Sequence, residues 1–178
     1  MNAERLNMTA IGLVSDTHFP RFGRALPRAL EDGLHSAHVS RILHMGDFTD
    51  PLAIGLFEAI APLEAVAGNN DPEEIWTRFG RQKIVTIDGV RIGLVHGDAG
   101  RRNAHDNAIA AFAGQPVDVI LYGHSHRPRV ERRGAQLVAN PGSPTDRRLM
   151  PTYSYGILTI AAGVPGIAVH TYASRDVR

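Results

Sequence analysis

Short apolar runs rich in β-branched residues alternate with helical patterns through the first part of the chain. The order is TAIGLVS (9–15), a helical stretch in RALPRALEDGLHSA (24–37), RILHM (41–45), a helical stretch in PLAIGLFEAIA (51–61), and LEAVAG (63–68). This is βαβαβ, and it leaves few folds open. Parallel strands need crossover connections, and strands covered on both faces read as continuous apolar runs, so the pattern predicts a parallel sheet clothed by helices. The rhythm then breaks. KIVTIDGVRIGLVHG (83–97) is two runs joined at Asp88-Gly89, a strong hairpin signal. A helix near 103–113 and the run VDVILYG (117–123) come next. Hairpins are then expected in RVERRGAQLVA (129–139), turning at Arg133-Gly134, and in YGILTIAAGVPGIAVHTY (155–172), turning near Gly163. Roughly ten strands with few helices predict an α/β fold, a four-layer α/β/β/α sandwich of two mixed β-sheets flanked by helices.

With 178 residues, 43% of them hydrophobic and 21% charged, the chain suits a single domain, 1–178, around a sizeable core. Basic and acidic residues nearly cancel, 19 against 18, so the footprint of a dedicated nucleic-acid surface is missing. The absence of cysteine removes thiolate ligands together with disulfides and points to a reducing, cytoplasmic setting. The opening MNAERLNMTA has no apolar leader core, and GILTIAAGVPGIAV (156–169) is too short and too broken by Gly163, Pro165 and Gly166 to span a bilayer. No membrane partner is expected.

The residues that follow the apolar runs carry the chemistry. Asp16 and His18 follow the first, Asp47 the second, and Asn69 and Asn70 the third; His96 follows IGLV, and His124 and His126 follow ILYG. Ligands bind α/β sheets beyond the carboxyl ends of the strands, so these five loop starts should converge on one rim. Gly46, Gly68, Gly97 and Gly123 stand among them, where the backbone turns sharply or approaches an ion. In an extended segment residues i and i+2 face the same side, so His124 and His126 are predicted to point together at the rim, and Asp16 and His18 likewise. A carboxylate with two oxygens can bridge two cations and offset their repulsion, the role assigned to Asp47.

Taken singly, a polar residue after a strand is more often a helix cap or turn former. Capping explains Asn69, Asn70 and Asp71 before Pro72 about as well as coordination does. Taken together, histidines at 18, 96, 124 and 126 share no role but metal binding. His35 and His38, on a helical stretch, and His170, on a terminal strand, are given no ligand role. His44 reads as core or as support for a ligand, and His105 has no assignment.

The motifs SDTH (15–18), GD (46–47), GNND (68–71), HG (96–97) and GHSH (123–126), in this order, resemble the calcineurin-like metallophosphoesterase superfamily. Chain length and NPGS (140–143) resemble its small YfcE-type phosphodiesterase branch over essentially the whole sequence. The resemblance implies the sandwich fold and two divalent transition-metal ions. One would be held by Asp16, His18 and His126, the other by Asn69, His96 and His124, with Asp47 bridging. Nitrogen and oxygen ligands without thiolate suit Mn, Fe, Ni or Zn, and Mn is taken first. Two such ions can clamp an in-line displacement at phosphorus, so the expected reaction is hydrolysis of a small phosphodiester by a metal-bridging hydroxide. Asp47, Asn69, Asn70 and His96 stand nearest that chemistry. No further cofactor is expected, and a homo-oligomer is left open.

Two positions depart from the family pattern. Asn70 stands where larger relatives carry a histidine thought to protonate the leaving group, so esters with good leaving groups should react best. Asp98 replaces the second histidine of an HGH pattern. NPGS reads equally as a turn and as a substrate loop. The alternatives to a phosphodiesterase are a phosphomonoesterase and a non-catalytic metal-binding interaction scaffold, as in the retromer subunit that shares this fold.

Overall fold

β1 (Met8–Val14) is buried along its last four residues because both of its faces are covered. Ile11 and Leu13 point into a core between two sheets, while Val14 meets helices on the other side. The computed structural model describes residues 8–176, so most of the N-terminal stretch read for a leader segment lies outside the described residues. After β1 come α1 (Arg28–Ser36), β2 (Arg41–His44), α2 (Leu52–Glu58), β3 (Leu63–Ala65), α3 (Glu73–Phe79), β4 (Gln82–Ile87) and β5 (Val90–Val95). The second half supplies α4 (Ala104–Ala111), β6 (Val119–Leu121), β7 (Arg129–Arg133), β8 (Gln136–Asn140), β9 (Tyr153–Ala161) and β10 (Val164–Tyr172).

The strands form two five-stranded mixed sheets, β10-β9-β1-β2-β3 and β4-β5-β6-β8-β7. β1, β2 and β3 run parallel, as do β5, β6 and β8; the antiparallel strands sit outside them. Ile11, Leu13, Leu43 and Met45 of the first sheet meet Ile92, Leu94, Val119 and Leu121 of the second in the central core. Leu30 and Leu34 of α1, Phe57 of α2 and Ile75 and Phe79 of α3 cover the outside of the first sheet. Ala108 of α4, with Phe112 just beyond it, covers Ile120 and Val138 of the second. The predicted four layers are therefore present, helix, sheet, sheet, helix.

The hairpin at Asp88-Gly89 has positive φ at both residues, 48° and 79°, which matches the strand twist. The β7–β8 turn falls at Gly134-Ala135, one residue later than predicted, because Arg133 still pairs with Gln136. α1 starts later than its apolar pattern, since Pro27 occupies its N-cap, and His38 lies beyond its end at φ 50°. Among the described residues, no helix is long and apolar enough to cross a membrane.

Candidate metal centre

The loops leaving β1 and β2 run side by side as a ribbon. Asp16 N donates to Gly46 O at 2.9 Å, His18 N to Asp47 O at 3.0 Å and Phe19 N to Phe48 O at 2.8 Å. Within it Asp16, His18, Asp47 and Thr49 have φ of 58°, 47°, 61° and 66°, and across the rim His124 and His126 have 66° and 56°. These residues are left-handed, so the extended-segment argument for the i, i+2 pairs does not hold. Asp16 and His18 meet because the chain turns at each of them. Non-glycine residues in this region are strained, and such strain collects at functional sites when surrounding contacts fix it.

Those contacts are specific. Asp16 Oδ2 accepts from Ser15 Oγ at 2.6 Å and from His124 N at 3.0 Å, which leaves Oδ1 aimed inward. Oδ1 lies 3.4 Å from His126 Nε2 and 3.9 Å from the Nε2 atoms of both His18 and His96. The His18 and His126 Nε2 atoms are 3.3 Å apart. His96 Nδ1 donates to Met45 O at 2.6 Å and His126 Nδ1 donates to Asp146 O, so in the neutral rings Nε2 carries the free lone pair. Asp16 Oδ1 and His96 Nε2 are buried without hydrogen-bond partners. Inward lone pairs and carboxylate oxygens with nothing between them fit a cation.

The ligand atoms of Asp16, His18 and His126 lie within 4.8 Å of one another, and so do those of Asp16, Asp47 and His96. Asp47 Oδ2 stands 3.6 Å from His18 Nε2 and 3.3 Å from His96 Nε2, between the two groups, and Asp16 belongs to both. The His124 ring sits edge-on to His96 at 5.2 Å. Asn69 is exposed in the turn after β3. Asn70 donates to both Asp47 oxygens, from its backbone N at 2.9 Å and from Nδ2 at 2.7 Å.

Several residues whose roles the motifs did not disclose hold this arrangement. Asp71 is no cap: the N-cap of α3 is Pro72, without a side-chain bond. The Asp71 carboxylate instead accepts from the backbone N of Asp47, Gly68 and Thr49 at 2.7 to 2.8 Å, tying the β2 and β3 loops together. His44 accepts from Gly46 N at Nδ1, 3.1 Å, and so carries its proton on Nε2, facing Thr17 Oγ1 at 3.3 Å. In NPGS, Asn140 donates to Gly123 O at 2.8 Å and Ser143 Oγ donates to Asp16 O at 2.8 Å, so both polar side chains brace loops that carry candidate ligands. Thr145 Oγ1 adds a bond to Thr17 O at 2.7 Å. Gly68 and Gly123 are needed for space rather than for turning. A Cβ would fall 2.1 Å from Asp47 Oδ1 at Gly68 and 1.9 Å from Ser15 Oγ at Gly123, whereas Gly46 and Gly97 do turn, at φ 92° and 99°.

Asp98, the departure from HGH, pairs with Arg81. Arg81 lies over the Trp76 ring at 4.5 Å and donates from Nη1 to Gly68 O at 2.8 Å, an oxygen that also accepts from Trp76 Nε1 at 3.0 Å. Asp98 thus braces the Asn69–Asn70 turn through Arg81. Arg81→Ala should weaken metal affinity about 10- to 100-fold, the usual loss when a ligand's support is removed. Titration of metal into the apo variant checks this, and an unchanged affinity would deny Arg81 that function.

The site's charges are strongly coupled. Burial opposes ionisation of Asp47, but His96 and the two Asn70 bonds outweigh it and hold the carboxyl well below its usual range. Burial opposes charging His96 as well; Asp47, Asp16 and the Met45 carbonyl overcome it and raise the imidazole to about 9. His18, His44 and His124 are lowered, chiefly by burial, and Asp71 is raised by burial. The raised His96 stabilises the metal-free fold fully below its unfolded pKa of about 6.5, and this contribution disappears as pH rises through about 9. The lowered histidines act only on the acid side. Metal-free protein should therefore lose about 3 kcal/mol of stability between pH 6.5 and 9.5, by linkage. Urea unfolding of chelator-treated protein measures the loss, and a flat profile across that window would show that His96 is not charged there.

Residues 9–163 match the family model described as the calcineurin-like phosphoesterase superfamily domain. The chain belongs to this superfamily. A probable metallophosphoesterase of Methanothermobacter thermautotrophicus is 36% identical over 141 residues, 78% of this chain and 79% of that protein. A phosphodiesterase of Methanocaldococcus jannaschii is 30% identical over 148 residues, 74% of this chain and 82% of that protein. The solved structure of an archaeal phosphodiesterase superposes with a TM-score of 0.72 at 25% identity, over 92% of this chain and 100% of that one. Vps29 of Entamoeba histolytica, solved with zinc, superposes with a TM-score of 0.78 over 96% of each chain; at 22% identity this is a likeness of fold. Membership in the superfamily supports a phosphoesterase hydrolase that binds divalent metal, with the buried Asp and His groups as candidate ligands.

Proposed function

We propose that this metallophosphoesterase is a cytoplasmic phosphodiesterase working with two divalent transition-metal ions, manganese first among them. One observation carries the reading. Asp16 Oδ1 and His96 Nε2 are buried 3.9 Å apart, neither has a hydrogen-bond partner, and Asp47, His18 and His126 surround them. Unpartnered buried polar atoms cost stability, and a cation that accepts their lone pairs removes the cost. One ion would take Asp16, His18 and His126, the other Asn69, His96 and His124, with Asp47 shared. When bound, such ions polarise the phosphoryl group and lower the pKa of water toward neutrality.

The chain's own residues do the rest. Met45 O and Asp146 O hold His96 and His126 with Nε2 free, and Ser15 with the His124 backbone turns Asp16 Oδ1 inward. Asn70 steadies Asp47, and its amide has no acidic proton for a leaving oxygen. The leaving group must then depart as its own anion, which favours diesters with aryl or nucleoside-like groups. The relative named a phosphodiesterase, 30% identical, supports the same substrate class. The expected partner is a small diester, with no dedicated nucleic-acid or membrane surface.

Turnover of bis(p-nitrophenyl) phosphate by manganese-loaded protein, against p-nitrophenyl phosphate and a chelated control, tests the proposal. Diester turnover should exceed monoester turnover at least tenfold and vanish with chelator. A reversed preference would make the protein a phosphomonoesterase, and no turnover at full metal loading would leave the scaffold reading.

A further inference from the structure

We infer that the cleft beside His18 is the subsite for the ester's apolar half, an aromatic ring carrying an anionic oxygen. This rests on the phosphodiesterase reading and names the part of the substrate which that reading leaves open. The ribbon between the β1 and β2 loops has the ligand cluster at one end. At its other end, one residue past His18 and three past Asp47, opens a cleft of about 210 Å³ walled by Phe19, Pro20, Leu52 and Leu56. A cavity of roughly 150 Å³ with apolar walls takes benzene, so a substituted ring suits this one.

Three features point to an occupant. Leu52 is 82% exposed although it sits on the cleft wall, an apolar side chain without cover. Arg24 lines the cleft, and among the described residues its side chain makes no hydrogen bond or ion pair, so its charge is free for an anionic substituent. The cleft's carboxylate, Asp50, turns Oδ1 to Leu52 N at 2.9 Å, which fixes the side chain against the start of α2. The cleft on the other flank of the cluster, about 170 Å³, is lined by His105, Tyr122, Arg127 and Arg129, and its polar groups are largely paired. His105 bonds Tyr122 and Glu131, and Arg129 bonds Glu131. Of these two clefts, the one beside His18 suits an apolar ring.

Three probes without a hydrolysable ester, methylphosphonate, benzylphosphonate and 4-carboxybenzylphosphonate, are titrated into the full-length, metal-loaded protein. Benzylphosphonate should bind about tenfold tighter than methylphosphonate, a modest return for covering one ring. The carboxylate should add about threefold by its charge-assisted bond to Arg24. Leu52→Asp should erase the ring's advantage, and Arg24→Gln the carboxylate's alone. Amide shifts on zinc-loaded, isotope-labelled protein should change at 19–24 and 50–56. Equal affinity for methyl and benzyl probes, or shifts confined to 103–105 and 125–129, would overturn the assignment. Diester turnover of the same preparation is scored separately, so failure of the hydrolase reading and failure of the cleft give different results.

Discussion

Asp47→Asn should lower phosphodiester turnover by about 10³-fold or more, because it loosens the ions whose positive charge would be worth several kcal/mol at the reacting phosphorus. It should also deplete metal from both ligand groups. The carboxylate is buried, and its Oδ2 lies 3.6 Å from His18 Nε2 and 3.3 Å from His96 Nε2, so one atom serves both sides. An amide keeps the shape but brings no negative charge to offset repulsion between neighbouring cations. It also turns an NH₂ group toward one of the two Asn70 donors, which now meet a carboxylate oxygen each. The fold should survive, since the Asp71 carboxylate still ties the β2 and β3 loops together through three backbone N–H bonds. Elemental analysis and circular dichroism on the same sample separate loss of metal from loss of structure. A variant that kept both metals and most of its turnover would remove Asp47 from its bridging place.

Turnover should also depend steeply on the leaving group's own pKa. A positioned general acid is typically worth about 10²- to 10⁴-fold, and alkyl diesters should lag aryl diesters by a factor of that order. The groups that could substitute for the missing acid are engaged elsewhere. Asp71 accepts three backbone N–H bonds, Asp98 is paired with Arg81, and His105 lies between Tyr122 and Glu131. Asn70→His should raise alkyl-ester turnover more than aryl-ester turnover, provided the ring reaches the leaving oxygen while Asp47 stays in place. Single-turnover rates over a series of diesters give the dependence. A flat series would show that a proton reaches the leaving group by another route.

The layering, and the gathering of the candidate ligands on one rim, were legible in the order of apolar runs and in the residues ending them. The pattern in 9–68 requires parallel strands, and parallel strands deliver their ends to one rim. What escaped is set by tertiary contact. The left-handed backbone at Asp16, His18, Asp47, His124 and His126 has no marker in residue type, because it is enforced by bonds between loops far apart in the chain. Asp71 looked like a cap because it precedes Pro72, yet its carboxylate reaches back 24 residues to Asp47 N. Gly68 and Gly123 stood at the right places for an unforeseen reason, room for the Asp47 and Ser15 side chains. Asp98 was recognisable as a departure, but its partner, Arg81, lies 17 residues away with no spacing rule to connect them.

The metal content of the chain tests this account most directly. Protein stripped with chelator, reloaded with manganese, freed of excess ion and measured by elemental analysis should hold about two ions per chain, as a two-metal phosphoryl clamp requires. His35→Ala, at an exposed position on α1, should hold the same number. A wild-type stoichiometry near zero would contradict the site itself, and a stoichiometry of one would contradict the shared place given to Asp47.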